Sequence, residues 1–166
     1  MNRESVLYTA RFFTLVLVQV VVLDHINLFG YINPYLYIYF IVLYPFTGNR
    51  GLIILLGFLL GLTIDVFSDT GGVHAAATTF IAYARPAFLK ISFGVSYQHN
   101  TVKLAKAGFR ARIFYIAVMV VAHHLLLFSL EVFSIKHILL VLQGTLFSSI
   151  FSIVVLYATF VLFSKK

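Results

Sequence analysis

The chain has 166 residues and a formal net charge of +7, with 61% of its residues apolar and only 10% charged. A water-soluble domain carries about 45–50% apolar and about 25% charged residues, so a soluble enzyme or binding domain is excluded, as is disorder, which needs low hydrophobicity. With 10 Gly, 3 Pro and no Cys, the chain is neither collagen-like nor stapled by disulfides. What remains is an all-α membrane protein with short loops, a single integral-membrane domain over residues 1–166.

The first predicted span covers about residues 5–28. The polar start Met1–Thr9 carries Arg3, and the apolar run Phe12–Leu23 follows it. That run resembles the apolar region of a signal peptide. It is followed by Asp24, His25 and Asn27 rather than a small-residue cleavage site, so the span is expected to stay. Asn33-Pro34 reads as a helix start, with Asn as cap and Pro in the first turn. The second span, about 34–48, is short: at 1.5 Å per residue it covers roughly 22 Å of a hydrocarbon core about 30 Å thick. It either crosses through locally thinned lipid or dips as a re-entrant hairpin. Tyr31, Tyr35, Tyr37, Tyr39 and Tyr44 crowd this region. They read as an interfacial aromatic belt plus core packing, with an aromatic ligand pocket as the sharper alternative.

The third span, about 51–67, contains Gly57 and Gly61 in a GxxxG pattern, with Asp65 one further step of four along the same helix face. Either the glycines form a docking groove for a partner helix, or they form a tight packing seam inside one subunit. In both cases Asp65 is expected to accept hydrogen bonds from the turn Ser68–Gly72 or from His74. The fourth span, about 73–89, opens after Gly72 with His74 and the small residues Ala75, Ala76, Ala77, Thr78 and Thr79, and contains Arg85-Pro86, where a kink is expected. His74 at a helix start reads first as structural. Residues 90–112 form the one substantial loop, with Lys90, Lys103, Lys106, Arg110 and Arg112. The fifth span is about 113–130. Its neighbours His123 and His124 point about 100° apart, so one is expected to face the bundle and the other an interface. The sixth span is about 138–163.

Six crossings with both termini in the cytoplasm put Arg3, Arg11, Arg50, Arg85, Lys90, Lys103, Lys106, Arg110, Arg112, Lys165 and Lys166 inside and only Lys136 outside. This is the asymmetry of the positive-inside rule. Asp24, Asp69 and Glu131 fall outside. The basic charge is therefore a topology signal and a contact for anionic lipid, and no nucleic-acid partner is expected. No nucleophile elbow, HExxH, phosphate loop or GxGxxG occurs, so no catalytic, cofactor or metal residues are assigned. A proton pump would need a chain of intramembrane acids and histidines, and Asp65 is the only central acid.

The segment Asn33-Pro34, the run Gly57–Ser68 and the stretch Gly72-Val73-His74-Ala75 resemble the rod shape-determining protein MreD family. Its recurring pattern is G-x-x-x-G-L-x-x-D, a turn, then G-x-H-A. Ala82–Pro86 also looks like the end of that family's fourth span. The resemblance covers about residues 24–90, and the C-terminal half agrees only in length and hydropathy. It implies a non-enzymatic part of the bacterial inner-membrane elongation machinery that binds MreC. Through MreC it would connect MreB filaments with the RodA glycosyltransferase and its transpeptidase partner. On this resemblance Gly57, Gly61, Asp65, Gly72, His74, Arg85 and Pro86 are the helix-packing or partner-binding candidates.

A transport role is the alternative. The substrate-binding subunits of energy-coupling-factor transporters are also compact bundles of six spans, and the fold is expected to be similar by analogy. Asp65, Asp69, His74 and the tyrosines could supply polar anchors for a vitamin. Coupling faces in those subunits use small alanines near the first span, whereas residues 10–23 here are mostly Val, Leu and Phe.

Overall fold

The polar and apolar residues of this chain are arranged inside out relative to a soluble protein. Gln19, Asp65, His74, Arg85, His123, His124 and Ser152 are buried, while Phe13, Leu17, Leu55, Leu62, Leu139, Leu146, Ile150 and Val154 are exposed. A surface of this kind is consistent with a lipid solvent. The computed structural model describes residues 3–28, 32–46, 48–94 and 104–163. Lys103, Lys165, Lys166 and Tyr31 lie outside the described residues, so their expected positions are left as sequence readings.

Among the described residues six α-helices follow one another: α1 (Arg3–Val21), α2 (Tyr39–Leu43), α3 (Arg50–Ser68), α4 (Val73–Phe93), α5 (Phe109–Val132) and α6 (Ile138–Phe163). Single 3-10 turns precede α2 and α6, at Leu36–Ile38 and Ile135–His137. Among the described residues the only strand-like pairing is one antiparallel bridge between Leu28 and Ile32. Among the described residues four helical segments are long and apolar enough to cross a membrane: Val6–His25, Arg50–Ser68, Phe109–Val132 and Ile135–Phe163. α4 is long enough, but Thr78, Thr79, Arg85 and Lys90 dilute its hydropathy.

The second predicted span differs most from expectation. Its helical part is Leu36–Leu43, far shorter than 34–48, and it turns extended at Tyr44, where ψ is 142°. Asn33 does not cap it. The Asn33 side chain instead accepts the Asn27 N–H at 2.8 Å and closes the preceding loop. The segment is nonetheless buried from Pro34 to Val42 and threads through the middle of the bundle. Tyr37 touches His74 at the start of α4, and Tyr44 and Pro45 touch Arg85 eleven residues later. At 1.5 Å per residue those two points lie roughly 17 Å apart along α4.

The contacts also fix helix directions. Ser68, ending α3, donates to Asp24, just past α1, at 2.9 Å, so α1 and α3 run the same way. α4 returns against α3. α5 returns against α4, since Arg85 meets Tyr115 while His74 and His123 share Tyr37. α6 returns against α5, with Phe109 packed on Tyr157 and the ring of Phe128 facing Gly144. This order gathers Arg11, Arg50, Arg85, Lys90, Arg110 and Arg112 toward one end of the bundle, the basic end. Asp24, Asp69, Glu131 and Lys136 lie toward the other, the acidic end. Pro86 sits inside α4, and the helix continues through it to Phe93.

Candidate functional site

The polar interior is assembled from α3 upward. Gly61 lies so close to α4 that a methyl group added to it would meet the His74 carbonyl oxygen, the Thr78 hydroxyl and, at 2.5 Å, the Ala75 Cα. A methyl at Gly57 would reach the Ala82 Cβ at 3.2 Å and the Thr78 carbonyl at 3.3 Å. The GxxxG face is therefore occupied within the chain by α4, which is the internal-seam reading of the pattern.

Asp65, on the same face, completes the joint. α4 begins after Gly72, which sits at φ 99° and has no side chain to cap the helix. The Asp65 carboxylate replaces that cap: it accepts the His74 N–H at 3.0 Å, the Ala75 N–H at 2.8 Å and the Thr70 hydroxyl at 2.5 Å. The N–H groups it takes are the second and third of α4, those that an N-cap side chain would satisfy. The positive end of the helix dipole also favours the carboxylate there. Sequence spacing predicts a bond from Asp65 to the turn or to His74, and the turn supplies Thr70 while His74 supplies its backbone rather than its ring.

The His74 ring faces inward. Its Nδ1 lies 2.7 Å from the Tyr37 hydroxyl, whose other side is 3.0 Å from His123 Nε2. One hydroxyl has a single proton, so one of these bonds is donated by Tyr37 and the other by a histidine. Asp65 does not touch either ring through this path, so the acid and the histidines form no continuous relay. Both histidines of the 123–124 pair are buried, correcting the expectation that one faces an interface. The physical reason is that α5 is flanked on two sides: His123 turns to Tyr37, while His124 Nδ1 lies 3.3 Å from Ser149 Oγ on α6 and His124 Nε2 lies 3.4 Å from Ser152 Oγ. Ser152 in turn accepts the Tyr35 N–H at 2.9 Å.

The tyrosines do not form a belt. Tyr35, Tyr37, Tyr39 and Tyr44 are buried. Tyr35 packs its ring against His124, with centroids 5.0 Å apart, and against His74 at 5.8 Å. Core packing is the part of the reading that fits, with the Tyr37 hydroxyl set between two buried histidines.

Gln19 was not singled out by sequence reasoning, although a lone amide inside the apolar run Phe12–Leu23 is the signal. It is fully buried and donates to Asp24 at 2.7 Å and to the Pro34 carbonyl at 3.1 Å. It also accepts the Leu36 N–H at 2.8 Å. Gln19 thus supplies the first turn of the threaded segment with the partner that Asn33 does not.

Arg85 closes the other end of that segment. It is buried, and donates from Nε to the Tyr115 hydroxyl at 2.9 Å, from Nη1 to the Pro45 carbonyl at 3.2 Å and from Nη2 to the Tyr44 carbonyl. Its guanidinium carbon also lies 5.7 Å from the Tyr44 ring centre and 5.6 Å from that of Phe46. All of these partners are neutral. Between α1, α2 and α6 at the same basic end runs a groove of about 780 Å³, walled by Leu7, Ala10, Leu15, Leu43, Phe160 and Phe163 and bordered by Arg11 and Tyr39.

These groups hold helices together through buried hydrogen bonds. They do not bring a nucleophile and a base to a common open point. No family model, no curated protein and no solved structure matches the chain.

Proposed function

We propose that the chain is an MreD-type component of the bacterial cell-elongation complex in the inner membrane, non-enzymatic, with six passes and both termini in the cytoplasm. It binds MreC and, through it, joins MreB filaments to RodA and its transpeptidase partner. The observation that carries this reading is the interlock of residues 57–75. The residues of the resemblance act there as one unit: two glycines seat α4, and an acid eight residues after the first caps it across a turn. Each element of the pattern has a physical need for the others, so the match is to a working joint and not to scattered small residues.

Because that glycine face is filled by α4, the partner's helix must use another surface. We assign it to the groove between α1 and α6, where two membrane-length helices separate and apolar side chains line the gap. Association there would rest on packing, since lipid removes the usual hydrophobic drive.

The test is affinity purification of the tagged chain at native level in mild detergent, followed by mass spectrometry. Recovery of a single-span protein with a periplasmic coiled coil, together with cell-wall synthases, is expected. The variant Ala10→Trp, which fills the groove, is expected to lower that recovery at least fivefold while leaving membrane levels unchanged. Recovery of a transmembrane coupling subunit with paired ATPases would overturn the reading in favour of vitamin transport.

A further inference from the structure

We propose that Arg85 and Arg50 form a binding site for a phosphate group at the basic end of the bundle. The proposal does not depend on the identity of the complex. Arg85 and Arg50 both line one partly open cavity of about 30 Å³, with Phe46, Gly48, Ile53 and Pro86 around it. By the same measure a water needs about 10–15 Å³, so the cavity has room for about two waters or for the oxygens of a small anion entering from its open side.

The charge balance points to the anion. Arg85 is buried, yet its three hydrogen bonds go to a phenol and two carbonyls, which orient the guanidinium without neutralising it. A guanidinium has five N–H donors, so these bonds leave it with donors to spare. A buried charge is costly unless a counter-charge accompanies it. Among the described residues no carboxylate borders the cavity, and the second charged group there, Arg50, has the same sign. Arg50 is also the first residue of α3, so the positive end of a 19-residue helix adds to the same field. The fork of Arg50 and the remaining N–H groups of Arg85 at one small cavity suit the oxygens of a phosphate, which guanidinium groups bind by charge-assisted hydrogen bonds.

The phosphate could belong to the headgroup of an anionic lipid or to free phosphate, and the experiment separates them. The purified full chain in neutral detergent is melted with added phosphatidylglycerol, phosphatidylcholine or inorganic phosphate. Arg50→Gln serves as the test variant because Arg50 is exposed and makes none of the Arg85 bonds. Arg110→Gln, an exposed basic residue of α5 away from the cavity, serves as the control of equal charge change. The expected result is a rise in melting temperature with phosphatidylglycerol and not with phosphatidylcholine. Half-saturation should shift at least fivefold in Arg50→Gln and stay unchanged in Arg110→Gln. The same pattern with inorganic phosphate alone upholds the site and assigns it to a soluble ligand. Equal responses to both lipids with none to phosphate, or equal losses in the two variants, would overturn the proposal.

Discussion

Asp65 shows how much a single side chain can be asked to do in a chain with few charges. It ends one helix and begins the next, satisfying two buried N–H groups and a hydroxyl. Replacing it with Leu leaves those N–H groups without partners, at about 1–3 kcal/mol each. Asp69 sits in the exposed turn at φ 54°, where Leu would add only the cost of a left-handed backbone, about 1–2 kcal/mol. Thermal melts in detergent should therefore show Asp65→Leu well below Asp69→Leu, and similar melting temperatures for the two would remove Asp65 from the joint. The sequence made this residue legible because its spacing from the glycines and from the following turn is local. Gln19 and the His123–His124 pair were less legible, because most of their partners lie on other segments, up to 86 residues away, which periodicity cannot assign.

Helices of near-uniform apolarity announce their length but not their neighbours, and this divides the elements into readable and unreadable ones. α6 occupies the predicted span, and α3 departs from its own by one residue at each end. The threaded segment is shorter in helix than its predicted span 34–48, because the buried run Pro34 to Val42 carries no amphipathic period to show where helix gives way to extended chain. α5 begins four residues before its predicted start, since Arg110 and Arg112 can belong to a helix whose end projects toward water. The GxxxG pattern was legible as a close approach, but its partner was not, because the same pattern serves internal and external seams. The two glycines differ in what they touch. A methyl at Gly61 meets backbone atoms of α4 that have no room to yield, whereas a methyl at Gly57 meets contacts of 3.2 Å and longer. Gly61→Ala should cost about 3 kcal/mol, at the upper end of overpacking, and Gly57→Ala about 1 kcal/mol. Melts of the two alanine variants check the order, and a reversed order would place the seam elsewhere on α3.

At the scale of the whole molecule, the helix directions and the places of Lys and Arg along the sequence together sort the charge between the two ends. Directions follow from side-chain contacts inside the bundle, whereas the places of Lys and Arg are fixed by the sequence. Together they place the basic end where the positive-inside rule would put the cytoplasm, with His25 and Lys136 on the far side. The chain has no cysteine, so single cysteines can be introduced without background. His25→Cys, Lys136→Cys, Lys106→Cys and Arg110→Cys all fall on exposed positions. A membrane-impermeant maleimide applied to intact spheroplasts should label the first two and spare the last two until the membrane is opened. Labelling of all four from outside would mean that the two ends of the bundle do not lie on opposite sides of the membrane. Labelling of Lys106→Cys and Arg110→Cys alone would invert it, and the cavity between Arg50 and Arg85 would then face away from the leaflet richest in anionic lipid.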